Sequence, residues 1–481
     1  MHLSVIAKIL GLLLMLFSAT MLPPVLVAWI YQDGGQVPFL TSFVIIFVTG
    51  LLVWLPFMRA NAELQTRDGF LVVTLFWTVL GAMGSIPLIL VLDMSITDAV
   101  FESISGLTTT GATVLSGLDE MPRSLLFYRQ QLQWLGGMGV IVLAIAILPM
   151  LGVGGMQLYK AEIPGPMKES KLTPRVAETA KLLWYVYLSV SVACALGYYY
   201  AGMEPFDAIA YTFSTVSTGG FAPHDDSVAH FNSRAVELNG IIFMFLGGCS
   251  FALMFTAWKQ RSPLVFWRDP EFRVFLGLTI VYIVIVDLIL WFSGVYDARH
   301  ENLIHSAFQV VSFSTGTGLT SGSAALWPSM VPFLLVFTSF VSGCAGSTTA
   351  GMKVVRAALV FQHGVRELRR LIYPHGVFAL RFGRRPVDDQ VLQAVWGFVG
   401  VYITLAVLMV LLLNATGMDI ATATSALAAS LNNLGVGVAG VADGFADVEA
   451  SAKWIMCVAM LLGRLEIFTI LVLFTPMFWR Q

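Results

Sequence analysis

Charge is what this sequence has little of: only 12% of its 481 residues are Asp, Glu, Lys or Arg, against 57% hydrophobic residues. Mean hydropathy is +0.80. A soluble domain carries roughly 25% charged residues to wet its surface. The soluble globular, disordered and nucleic-acid-binding classes are therefore excluded together. Cysteine is scarce as well. Cys194, Cys249, Cys344 and Cys457 each stand in an apolar run, with no CxxC pair and no histidine at ligand spacing. That excludes a disulfide scaffold and a zinc-thiolate site, and leaves small buried packing residues. The 7 histidines are scattered; His224, His230, His300 and His305 fall in polar connections and read as solvated. No His, Asp, Glu or Ser cluster at catalytic spacing supports a membrane enzyme.

What is present is long apolar runs. Ten are long enough to span a bilayer, at about 9–31, 37–58, 69–92, 132–153, 182–202, 238–258, 274–294, 330–350, 394–414 and 454–479. The first is a full crossing rather than a signal-peptide core. Most of the 27 Lys and Arg residues fall in one set of alternate connections. The positive-inside bias then predicts that both termini are cytoplasmic. Acids such as Asp93, Asp98, Glu102, Asp119, Asp225 and Asp226 collect on the other side, where they would draw cations.

Four of the outer connections open with a semi-apolar stretch too short to cross: 97–108, 205–216, 302–313 and 420–432. Each length suits a re-entrant half-helix. Each then enters a glycine-bearing segment: Thr109-Thr110-Gly111-Ala112-Thr113, Ser217-Thr218-Gly219-Gly220-Phe221, Ser314-Thr315-Gly316-Thr317-Gly318 and Asn433-Leu434-Gly435-Val436-Gly437. The expected architecture is an all-α polytopic membrane protein with ten transmembrane helices and four re-entrant pore helices. Its expected units are a two-helix extension (1–60) and four repeats (61–165, 166–262, 263–375, 376–481), the third with a broken second helix. A dehydrated cation needs a ring of backbone carbonyls, and glycine permits the dihedrals that turn carbonyls inward. Aligning each segment on its first glycine, Gly111, Gly219, Gly316 and Gly435, predicts one filter.

Two apparent nucleotide motifs fail on context. Gly435-x-Gly437-x-x-Gly440 follows no strand, and 346–353 carries Met352 where a phosphate-binding loop has lysine. The stretch 343–351 breaks the eighth span with Gly343, Gly346 and Gly351 among Cys344, Ser347, Thr348 and Thr349. A broken helix below a filter is a candidate gate. Arg464 is a base deep in the last span, with Glu466 two residues on and Asp287 in the seventh. Intramembrane charge is costly and marks function or a structural pair.

With these segments the sequence resembles the Trk/Ktr/HKT superfamily of potassium transporters, in particular its bacterial TrkH-like membrane subunits. Further matching motifs are Gln133-Trp134-Leu135-Gly136-Gly137-Met138-Gly139, Glu162-Ile163-Pro164-Gly165-Pro166 and Gly463-Arg464. The resemblance implies K⁺ uptake across the bacterial inner membrane, with no prosthetic cofactor and K⁺ as the bound and transported ion. It implies filter ligands at Thr110, Gly111, Ala112, Thr218, Gly219, Gly220, Thr315, Gly316, Thr317, Leu434, Gly435 and Val436. It also implies a gate at 343–351 with Arg464, a homodimer, and a cytosolic nucleotide-binding (TrkA-like) regulatory subunit. The basic connection 353–385 is the expected docking surface for that subunit, or a site of anionic-lipid contact. A symporter coupling K⁺ to Na⁺ or H⁺ is the alternative reading.

Overall fold

A computed structural model describes residues 1–60, 65–142, 172–322, 327–383 and 385–480. Among the described residues it is predominantly helical, with only two-residue strands beside the helices. Six described helices are long and apolar enough to cross a membrane: Leu3–Tyr31, Gln36–Phe57, Arg67–Leu92, Ala180–Tyr200, Pro270–Ser293 and Asp389–Ala415. Two of the other expected spans are bent. Arg234–Gly247 meets Phe251–Gln260 at 98°, and Ala450–Arg464 meets Phe468–Phe474 at 106°. The first bend follows the Gly247-Gly248 pair, whereas the second comes at Glu466 and Ile467, both with positive φ. The fourth expected span is described to Val142 within the helix Arg123–Val142; the rest of it and the 162–166 motif lie outside the described residues. The eighth is interrupted as expected. Met330–Thr338 ends, a loop bounded by the parallel strands Val341–Ser342 and Met352–Lys353 follows, and Val354–Ile372 begins.

Four short helices occupy the semi-apolar stretches: Ile96–Leu107, Pro205–Val216, Arg299–Ser314 and Ile420–Leu431. Their starts are legible. Ser95 and Asp419 accept from backbone N–H groups three residues on, and Pro205 supplies the preset φ of a first helical position. Each short helix also packs on the helix that follows the preceding turn. Pro205–Val216 lies on Arg123–Val142, Arg299–Ser314 on Arg234–Gly247, Ile420–Leu431 on Met330–Thr338, and Ile96–Leu107 on Ala450–Arg464. The last contact joins the two ends of the series, so the four units close into a ring. The four cysteines are buried and free, as their apolar settings imply.

Candidate functional site: a ring of glycine turns

All four short helices end in the same way. Thr109, Thr218, Gly316 and Asn433 have φ of 54°, 53°, 70° and 50°. Their N–H groups donate three residues back, to Gly106, Thr215, Phe313 and Ser430. The next N–H groups, of Thr110, Gly219, Thr317 and Leu434, donate five residues back, to Ser105, Ser214, Ser312 and Ala429, at 2.8–3.0 Å. This is the left-handed helix stop that satisfies the last orphan carbonyls. Three of the four left-handed residues are not glycine, a strained choice that the surrounding packing must hold.

The residue after each of these N–H donors has positive φ again and is always glycine: Gly111, Gly220, Gly318 and Gly435. These four close the ring. A Cβ on Gly111 would lie 2.1 Å from the Gly219 carbonyl oxygen, on Gly220 2.0 Å from that of Thr317, on Gly318 2.1 Å from that of Leu434, and on Gly435 2.2 Å from that of Thr110. Each turn thus presses its glycine against the carbonyl of the next. No side chain fits at any of the four, because the obstacle is backbone.

The structure thereby shifts the register of the repeats. Gly111 and Gly435 keep their place, but their counterparts are Gly220 and Gly318, not Gly219 and Gly316. Gly219 supplies a ring carbonyl, and Gly316 is the helix-stop residue that is Thr or Asn elsewhere. First-glycine alignment failed because glycine serves two purposes here, and only backbone geometry separates them. Ala112, Thr315 and Val436 flank the ring. The residues supplying ring carbonyls are Thr110, Gly219, Thr317 and Leu434, so hydroxyls occur at two positions, in the first and third units. Thr110 and Thr317 each contact the threonine two residues earlier, Thr108 and Thr315, at 2.7 Å between hydroxyls.

Side chains outside the turns brace the ring. Gln133 Nε2 donates to the Gly219 carbonyl at 2.6 Å, and the Phe221 N–H donates to Gln133 Oε1 at 3.0 Å. Asn433 Nδ2 donates to Thr110 Oγ1 at 2.7 Å and to the Met460 carbonyl at 3.0 Å, tying the fourth turn to the first. Arg129 pairs with Glu102 at 2.7 Å, both 1% exposed. Glu102 also accepts from Thr113 Oγ1 and the Val114 N–H, while Arg129 reaches the Ala222 carbonyl and covers the Phe221 ring at 4.2 Å. Glu102, which the sequence places among the outer acids that would draw cations, is instead buried and paired with Arg129. The available signal was position: Glu102 falls inside a semi-apolar short helix.

The 343–351 loop lies against the same turns. The Thr348 hydroxyl donates to the carbonyls of Val216 and Gly247 at 3.2 and 3.0 Å and contacts Thr218 Oγ1 at 3.2 Å. Backbone bonds from Cys344 to Gly248 and from Phe251 to Gly346 stitch the loop to the bend after Gly247. Gly343, Gly346 and Gly351 all have positive φ, and Ser347 contacts Thr349 at 2.7 Å. Arg464 reaches this loop, donating to the Thr348 carbonyl at 2.7 Å and the Gly136 carbonyl at 3.2 Å, with its guanidinium 5.8 Å from the Trp77 ring centre. These contacts are carbonyls and a ring rather than a carboxylate. Glu466 instead pairs with Arg356 at 2.6 Å, and Asp287 with Arg299 at 2.6 Å. Lys353 is buried and donates to Thr349, so it leaves the basic surface expected of 353–385. The histidines are less scattered than their spacing implied, for the rings of His224 and His230 stack at 3.7 Å beside Asp119.

Known proteins resemble this chain in sequence and overall fold. Residues 35–481 match the family model TrkH, described as a cation transport protein. The chain is 51% identical to the Trk system potassium uptake protein TrkH of Salmonella typhimurium over the whole of both chains. It is 52% identical to the TrkH of Vibrio parahaemolyticus over 99% of each, and 39% identical to the Trk system potassium uptake protein TrkG of Escherichia coli over 100% of this chain and 99% of that one. The crystal structure of the potassium transporter TrkH from Vibrio parahaemolyticus superposes with a TM-score of 0.93, covering both chains fully at 49% identity. The chain belongs to the TrkH family of cation transport proteins, a family of membrane transporters rather than enzymes.

Proposed function

We propose that this chain is the membrane subunit of a potassium uptake system and conducts K⁺ through the ring of carbonyls from Thr110, Gly219, Thr317 and Leu434. The observation that carries this reading is the closed sequence of glycine-to-carbonyl contacts among four separate turns. Backbone oxygens fixed by mutual contact replace a hydration shell without reorganising. The names of the relatives supply the ion.

In this reading the four short helices are re-entrant among ten crossings, behind the 1–60 extension, and their carboxyl ends supply partial negative charge to the ion path. Both termini face the cytoplasm of a bacterial inner membrane. The 343–351 loop, held by Arg464, gates the path below the ring. A symporter is the weaker reading, because the four units follow one another around the ring in a single sense, whereas alternating carriers favour inverted pairs. The helix Val354–Ile372 ends in Arg369 and Arg370 and exposes Phe361, Leu368 and Leu371. Its amphipathic character suits docking of a cytosolic nucleotide-binding subunit beside anionic lipid, and the family resemblance supports a homodimer.

Flux into liposomes holding this chain tests the proposal. K⁺ flux well above Na⁺ flux, falling to background in Gly220→Ala, is the expected result. Equal K⁺ and Na⁺ flux, or full K⁺ flux in that variant, would overturn it.

A further inference from the structure

Beyond the ring, the chain segments after the first two turns meet at a seam. The short helical turn Leu118–Glu120 carries Asp119, and Ser227–Phe231 carries His230, with His224 between the second turn and Ser227. Ligand atoms of Asp119, His224 and His230 all lie within 4.8 Å of one another. His224 Nδ1 faces Asp119 Oδ1, and its Nε2 lies 3.4 Å from Asp207 Oδ1. The two imidazole planes are within 5° of parallel.

We propose that Asp119, His224 and His230 form a binding site for a divalent transition-metal ion of the Zn²⁺ class, bridging the outer segments of the first and second units. Two neutral imidazoles and one carboxylate supply three positions of a tetrahedral site, and water completes it. This donor set selects Zn²⁺, Ni²⁺ or Cu²⁺ over Mg²⁺ and Ca²⁺, which prefer all-oxygen shells. Ligand atoms on one such ion, with bonds of about 2.0–2.1 Å, stand about 3.4 Å apart. An imidazole ligates in its own plane, so the stacked His230 ring must turn out of parallel with His224 to share an ion; rotation of His230 and Asp119, both at the surface, supplies that turn and the contraction. Asp207 faces the far nitrogen of His224, the position from which a carboxylate orients a ligating imidazole.

The backbone around the site is already fixed. Asp225 accepts from the Gly117 and Leu118 N–H groups at 3.0 Å, locking the two segments together. The Phe231 ring packs edge-on against both imidazoles, and the Tyr211 hydroxyl donates to the Ser227 carbonyl at 2.7 Å. All four cysteines are buried, so thiols do not compete for added metal.

Isothermal titration of the purified full-length chain with ZnCl₂ tests the site. One Zn²⁺ per chain is expected, with affinity at least about tenfold lower in His230→Gln and in Asp119→Asn. Binding should be lost in the His224→Gln/His230→Gln double variant and kept in His300→Gln. The elution volume of each variant on size exclusion establishes folding, and the two exposed single substitutions carry the test if the double variant aggregates. Unchanged Zn²⁺ affinity in the folded His230→Gln and Asp119→Asn proteins, or no Zn²⁺ bound by the parent chain, would overturn the assignment.

Discussion

The Arg129 guanidinium and the Glu102 carboxylate form a fully buried pair, 2.7 Å apart, between the segments that follow the first two glycine turns. Glu102 belongs to the first short helix and Arg129 to the helix packed behind it, so the pair fixes one turn against its neighbour. Removing one partner leaves an uncompensated buried charge, which costs about 3–5 kcal/mol. Glu102→Leu and Arg129→Met should therefore each lower the thermal transition of the purified protein sharply. The double variant should recover much of the loss, and thermal unfolding of all three proteins measures it.

Register gives a sharper expectation. Gly318 has a backbone oxygen 2.1 Å from where its Cβ would lie, whereas the nearest atoms at Gly316 are 3.6 Å away. Gly318→Ala should abolish cation flux. Gly316→Asn places in the third unit the residue type that Asn433 provides in the fourth, and measurable flux should remain. Radiotracer uptake into liposomes distinguishes the two variants. The opposite ranking would restore first-glycine alignment.

Gln133 contacts the ring through its amide. Gln133→Leu keeps the approximate volume but removes the donor to the Gly219 carbonyl and the acceptor for the Phe221 N–H. Discrimination between K⁺ and Na⁺ should fall while the protein still assembles, because each net hydrogen bond contributes only about 1 kcal/mol. Reversal potentials in mixed K⁺ and Na⁺ solutions read this out.

Arg464 holds the 343–351 loop by its contact with the Thr348 carbonyl. Arg464→Met keeps much of the side-chain bulk and removes both carbonyl contacts; under the proposed gating role, the loop then loses a restraint that closes the path. Open probability in single-channel recordings should rise. An unchanged value would separate Arg464 from gating.

The His224 to Asp119 contact has a definite pH window. Burial opposes protonation of His224, but Asp207 and Asp119 outweigh it and raise its pKa above the ordinary 6.5. The hydrogen bond from His224 chiefly holds Asp119 below the ordinary 3.8. The His224 contribution is complete below 6.5 and is lost as pH rises through the raised folded value. The Asp119 contribution is complete above 3.8 and is lost as pH falls through the lowered folded value. The link between the two outer segments is therefore strongest between those limits. In metal-free buffer, the excess thermal stability of the parent chain over His224→Gln should peak there and decline at alkaline pH.

The sequence alone determined the solvent and the repeat. Scarce charge and long apolar runs demand a bilayer, and four semi-apolar stretches each leading to glycine mark four alike units, because helix length and turn chemistry are local properties. The short helices duly occupy those stretches. Which glycine does what was decided only in three dimensions. Gly111, Gly220, Gly318 and Gly435 are equivalent because each meets a carbonyl about a hundred residues away or more, and no local pattern reports that contact. The same holds for Glu102 with Arg129, for Arg464 with the Thr348 carbonyl, and for His224 with Asp119 and His230. Ion pairing, carbonyl capture and metal ligation depend on distances of a few ångströms, and in a ring closed end to end those distances are set by packing between units.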